Sequence, residues 1–198
     1  MSPRLPTLAL AVLLLANSAD AQERRRVEIG GLGRYTFFDD SWLYENAFGG
    51  GGRLGVHLIP WLLVEADATL TSTVGWADDQ VRHIPIHVYL VYNRPVGRPF
   101  DLRVGAGYVH NEYDQRLSGA DNGLAGLLAV QVWLFDLIAL RVDGTADFMP
   151  APANRTETNW HFGLQAGLSF GIGHVAGPPS QKPPVVTGSP APSSPHGS

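Results

Sequence analysis

The stretch Trp61 to Leu70, WLLVEADATL, places two carboxylates, Glu65 and Asp67, at alternate positions of an otherwise apolar run. The same spacing recurs along the chain. Glu28 and Arg34 alternate with Val27, Ile29, Tyr35 and Phe37; Arg53 alternates with Leu54 and Val56; Arg103 alternates with Leu102 and Val104. Arg141, Asp143 and Asp147 alternate with Leu140, Val142, Ala146 and Phe148. In an extended chain every second side chain returns to the same face, so these nine ionisable residues share a face that opposes an apolar one. Carboxylates at such spacing can exchange protons, bind cations or pair with guanidinium groups. Four arginines against five acids favour pairing.

The histidines point to different chemistry. His83 and His87 are four residues apart, which along a strand is about 13 Å. Metal–nitrogen bonds are only about 2 Å long, so the two cannot ligate one ion. His57, His87 and His161 fall on the polar faces of separate segments, and their spacing alone leaves open whether they meet. No metal site and no cofactor are expected. The apolar faces contain no Ser, His, Asp or Glu with which to attack a lipid, so no catalytic residue and no enzyme activity are expected either. The glycines of GAGY, Gly105 to Tyr108, lie inside a strand-like segment with no helix after it, which excludes a nucleotide loop. Asn154 to Thr156 matches a glycosylation pattern only formally.

The elements that carry these residues are strands. Between Val27 and Gly173 eight segments alternate apolar and polar: 27–38, 48–58, 62–71, 84–93, 101–109, 124–134, 138–148 and 160–170. Segments of about 10 residues suit a tilted transmembrane strand. Connections after the second, fourth and sixth segments are short (IPW, RPVGRP, FD), whereas those after the others include DDSWLYEN, STVGWADDQVR and HNEYDQRLSGAD. Short turns on one side and long polar loops on the other predict an all-β, eight-stranded antiparallel up-and-down barrel in an outer membrane, with both termini in the periplasm. Trp61 and Trp133 would form one interfacial girdle, and Tyr35, Phe37, Tyr108, Phe148 and Trp160 the other.

The flanks differ in composition. Residues 1–21 have Arg4, an apolar run at Leu8 to Ala16 and the small-residue site ADA, which reads as a secretory signal peptide cleaved before Gln22. The remainder divides into a barrel over 22–173 and a Pro/Ser-rich tail over 174–198, too polar and proline-rich to bury a core. The chain has no cysteine and a net charge of −4, with 14 basic and 18 acidic residues. Disulfides are thereby excluded, and nothing suggests nucleic-acid binding.

The segments GRYTFFDD, GGGGRLGVHLIPWLLVEADATLT and GLQAGLSFGIG resemble the small eight-stranded outer-membrane barrels of the outer membrane protein A type, over about Val27 to Gly173. Members of that family often continue through a proline-rich hinge into a peptidoglycan-binding domain. The resemblance therefore implies outer-membrane lipid as surroundings, and peptidoglycan as a candidate contact of the tail. In an eight-stranded barrel the interior is about filled by side chains. Glu28, Arg34, Arg53, Glu65, Asp67, Arg103, Arg141, Asp143 and Asp147 are then expected to form an internal charge network that plugs the lumen, and the chain to serve as a structural envelope component. The same residues could instead gate a small ion-conducting pore. A third possibility is a loop-mediated adhesin, with Trp42, Tyr44 and Trp76 meeting a surface ligand.

Overall fold

The computed structural model describes residues 25–39, 44–75, 80–97, 99–114, 119–150 and 158–173. Eight antiparallel strands run in chain order: β1 Val27–Phe37, β2 Ala47–Ile59, β3 Leu62–Val74, β4 Gln80–Gly97, β5 Phe100–Asp114, β6 Gly119–Trp133, β7 Ile138–Met149 and β8 Asn159–Ile172. Each pairs with the next, and β8 pairs with β1, closing the barrel. The expected signal peptide and Pro/Ser-rich tail lie outside the described residues, as do Trp42 and Trp76.

Closure turns period-two alternation into an inside and an outside. Outward positions are apolar and exposed, as with Leu54, Val64, Leu90, Val104, Leu128, Val142 and Leu164. Inward positions include all four arginines and all five acids of the alternating face, each 5% exposed or less. This arrangement is inside-out relative to a water-soluble protein and is that of a membrane barrel.

Aromatic rings band the outer surface near the long-loop end. Tyr35 meets Phe37 at 4.8 Å between centroids, and Phe148 meets Trp160 at 4.8 Å. At the other end Trp61 lies 6.1 Å from Tyr92. Trp133 departs from the expected girdle. It shares the parity of Gln131, turns toward the lumen mouth, and donates its indole N–H to Asp101 Oδ2 at 2.9 Å.

Strands β4, β5 and β6 are longer than the alternation suggested, at 18, 15 and 15 residues. About 9–11 residues cross the hydrocarbon, so their loop ends stand beyond it. Arg82, Glu112, Asp114 and Asn122 there take outward, exposed positions. Pro85 lies inside β4 and has no N–H to give to a ladder. In the barrel the β3–β4 ladder lapses opposite Pro85, between Ala68↔Ile86 and Thr71↔His83, while the β4–β5 ladder continues through Pro85↔Asn111. The β4–β5 turn requires glycine at Gly97, whose φ is 130°.

Inward glycines make room for the charged side chains. A Cβ on Gly163 would sit 2.8 Å from both Cζ and Nε of Arg34. A Cβ on outward Gly144 would meet nothing within 4 Å. Gly163→Ala is expected to destabilise the barrel by about 1–3 kcal/mol through overpacking. Gly144→Ala should stay within about 0.5 kcal/mol of the parent, as surface changes do. Urea midpoints of the refolded variants in lipid vesicles, followed by tryptophan fluorescence, check both.

Candidate functional site

Among the described residues chemistry-bearing side chains gather in the lumen, and its two walls differ. Leu63, Tyr89, Val91, Val109, Ala125, Leu127 and Ala129 form a buried apolar cluster along β3 to β6. The wall made by β7, β8, β1 and β2 carries Arg141, Asp143, Gln165, Ser169, Glu28, Arg34 and Arg53, all buried. Small inward residues on that side, including Gly163 and Gly30, leave space for long guanidinium side chains.

One network runs through the half nearer the short turns. Glu28 Oε1 accepts from Arg103 Nη2 at 2.7 Å and lies 3.0 Å from His57 Nε2. Arg103 Nη1 is 3.7 Å from Glu65 Oε2. Glu65 takes a two-pronged contact from Arg141, at 2.5 Å from Nη1 and 2.8 Å from Nη2. Arg141 also donates through Nε to Asp143, and Asp143 Oδ2 is 2.7 Å from Arg53 Nη2. Seven residues on β1, β2, β3, β5 and β7 are thus joined by direct contacts across the interior.

A second network lies nearer the long loops. Arg34 Nη2 donates to Asp147 Oδ2 at 3.1 Å. Asp147 Oδ1 is 3.1 Å from His87 Nε2, and His87 Nδ1 is 2.9 Å from Asp67 Oδ1. Together the two networks engage all nine residues of the alternating face. Two participants, His57 and His87, come from outside that set. Their inward parity was legible, but which carboxylates they meet depends on the stagger of strands far apart in sequence.

Aromatic side chains stand at both mouths among the described residues. At the long-loop end Phe38, just past β1, turns inward to 7% exposure. Its ring lies 5.2 Å from His83 and 5.3 Å from His161, edge-on in each case. Tyr44 was expected to stand on a surface loop. It instead packs partly buried against Val81 and Tyr113, 5.6 Å from Phe38. An aromatic ring has more to gain from that apolar seat than from water. At the other end the Trp133–Asp101 bond is joined by Arg25, whose Nε donates to the Asp136 carbonyl at 3.0 Å.

Metal chemistry finds no support in the geometry. His83 and His161 approach to 6.0 Å between ring centroids, but among the described residues no group of three His, Cys, Asp or Glu side chains is placed to hold an ion.

Arg141 has three carboxylate contacts, and Arg53 has one within ion-pair distance. Removing one partner of a buried pair strands the other charge. Arg141→Ala is therefore expected to cost about 3–5 kcal/mol and Arg53→Ala less. Urea unfolding of both variants in vesicles gives the order; a larger loss for Arg53→Ala would contradict the contact hierarchy.

Comparison with known proteins gives three findings. A family model described as outer membrane protein beta-barrel domain matches residues 7–176. Neisserial surface protein A is similar in structure, with a TM-score of 0.57 and 16% identity over 74% of this chain and 96% of that one. The outer membrane protein OprG from Pseudomonas aeruginosa gives a TM-score of 0.52 and 13% identity, over 77% of this chain and 99% of that one. No curated protein matches the sequence.

Proposed function

The chain belongs to the outer membrane β-barrel family, and from that premise we propose that it is a structural component of the envelope whose lumen is closed by its own charges. The observation that carries this reading is the seven-residue ion-pair chain from His57 and Glu28 through Arg103, Glu65, Arg141 and Asp143 to Arg53. Five strands with large sequence separations contribute to it. A register slip of one residue in any of them would turn its charged side chain into lipid, so the network acts as a register lock and as a plug.

The apolar wall opposite strengthens the closure. Leu63, Val91 and Leu127 on that wall offer the charges no polar partner, so the arginines and acids turn to one another. Phe38 with His83 and His161 closes one mouth, and Trp133 with Asp101 closes the other. The protein acts without enzymatic chemistry in this role. An even strand number puts both ends of the barrel on the short-turn side, which we assign to the periplasm, with residues 1–21 as a cleaved signal and 174–198 as a periplasmic arm able to reach peptidoglycan. The long loops then face outward, where Trp42 and Trp76 are the residues suited to meeting a surface ligand.

Planar-bilayer conductance of the refolded barrel tests the plug. The native protein is expected to be silent, and Arg103→Ala with Arg141→Ala to leak or to unfold at lower urea. Steady, charge-selective conductance by the native barrel would make it a pore instead.

A further inference from the structure

His87 stands between two carboxylates from opposite sides of the barrel. Its Nδ1 is 2.9 Å from Asp67 Oδ1 on β3, and its Nε2 is 3.1 Å from Asp147 Oδ1 on β7. All three side chains are buried. An ionised carboxylate only accepts hydrogen bonds, whereas a neutral imidazole has one N–H and one lone pair. Neutral His87 would satisfy one carboxylate and point its lone pair at the other. Moving the proton onto a carboxyl is opposed by the neighbours: Asp147 already takes Arg34 through Oδ2 at 3.1 Å, and Asp67 is the cross-strand partner of Arg53.

Resting on the plug reading above, we propose that His87 is an imidazolium and that it latches β3 to β7 by donating from both ring nitrogens. The charge count supports this assignment. The alternating face supplies Arg34, Arg53, Arg103 and Arg141 against Glu28, Glu65, Asp67, Asp143 and Asp147, one cation short. A charged His87 makes its own network neutral, Arg34 and His87 against Asp67 and Asp147, in a space where an unmatched charge is costly.

The surroundings of His87 are consistent with that role on every side. Besides Asp67 on β3 and Asp147 on β7, the charged or titratable groups around it are Arg34 from β1, Arg53 from β2, His161 opposite Asp147 on β8, and Tyr89 on its own strand. The Tyr89 ring stacks on the imidazole at 5.3 Å with an 11° tilt, a placement that suits a cation. Its cross-strand partner on β5 is the uncharged Val109, and that of Asp147 on β6 is the uncharged Ala125. Other lumenal histidines are bonded differently. His57 meets a carboxylate through Nε2, and His83 Nε2 meets an amide oxygen of Asn111. Only His87 shows a carboxylate at each nitrogen among the described residues.

Two measurements test the latch. Nitrogen-15 NMR of the histidine-labelled, refolded barrel at neutral pH should show both nitrogens of the His87 ring protonated, assigned by loss of the signal in His87→Gln. One protonated and one bare nitrogen would overturn the proposal. The second is a mutant cycle on urea midpoints in vesicles. His87→Gln leaves that network one negative charge in excess and should lower the midpoint, and adding Asp67→Asn restores its neutrality and should recover most of that loss. If the double variant is less stable than His87→Gln alone, His87 is not the counter-charge of Asp67 and the proposal fails. Native conductance would sink the plug reading without touching the NMR result, so the two ideas fail separately. If His87→Gln does not refold, the native spectrum still decides, with its assignment taken from Asp67→Asn perturbation of the same ring.

Discussion

Hydrocarbon offers no hydrogen-bond partner, so a chain that crosses it as strands must pair every backbone group with another strand and leave no edge. In this protein eight strands meet the demand, ending with the β1–β8 ladder from Val27↔Ile172 to Phe37↔Phe162. That number fixes the rest. Eight strands enclose a space only about as wide as the side chains that fill it, and the apolar residues are needed outside. The interior is left to whatever side chains can satisfy one another without water. Arginine and carboxylate are well suited: the guanidinium fork offers five donors in a fixed plane and the carboxylate accepts two at once, as Arg141 and Glu65 do here.

The same constraint explains where the glycines lie. A charged network inside so narrow a tube needs empty backbone beside it. Inward Gly30 and Gly163 lie against Arg53 and Arg34, whereas inward Gly49, Gly51 and Gly167 lie where a Cβ would meet the backbone of the next strand. On the lipid side the logic reverses. The Phe48 ring lies over outward Gly33, where a Cβ would come within 2.8 Å of Cζ, so an aromatic on one strand covers the bare backbone of the next.

Alternation made the fold legible because parity is all that a barrel needs from each strand. Eight period-two segments with short and long connections in turn lead to the closed antiparallel order. The same parity separates Glu65 and Asp67 from Val64 and Ala66 without knowledge of any partner. What parity cannot carry is stagger. Arg141 and Glu65 are 76 residues apart, and Arg34 and Asp147 are 113 apart; which inward side chains share a level depends on how seven ladders accumulate their offsets. The linking of His87 to both Asp67 and Asp147 was hidden for this reason. Trp133 and Tyr44 misled in a different way, because an aromatic near a strand end fits either a lipid interface or a lumen mouth, and only the neighbouring Asp101 or Tyr113 decides between them.

A buried ion pair is weak evidence for stability, since apolar replacements of equal volume often hold a fold better. The case here differs in its alternative states. A helix bundle that loses a polar contact can repack, but a strand in a barrel that slips by one residue exchanges its two faces completely. With Leu140 and Val142 facing lipid and Arg141 and Asp143 facing inward, slippage of β7 would put two charges into hydrocarbon, each at a cost of about 2–4 kcal/mol near the membrane centre for a basic residue and somewhat less for an acidic one. An all-apolar interior would remove that penalty and leave the register set by turns and ladders alone. On the proposed reading, the energetic difference between the right register and its neighbours, rather than the strength of any one pair, is what the lumenal charges contribute. This also accounts for their distribution over β1, β2, β3, β5 and β7 instead of a compact cluster on two adjacent strands.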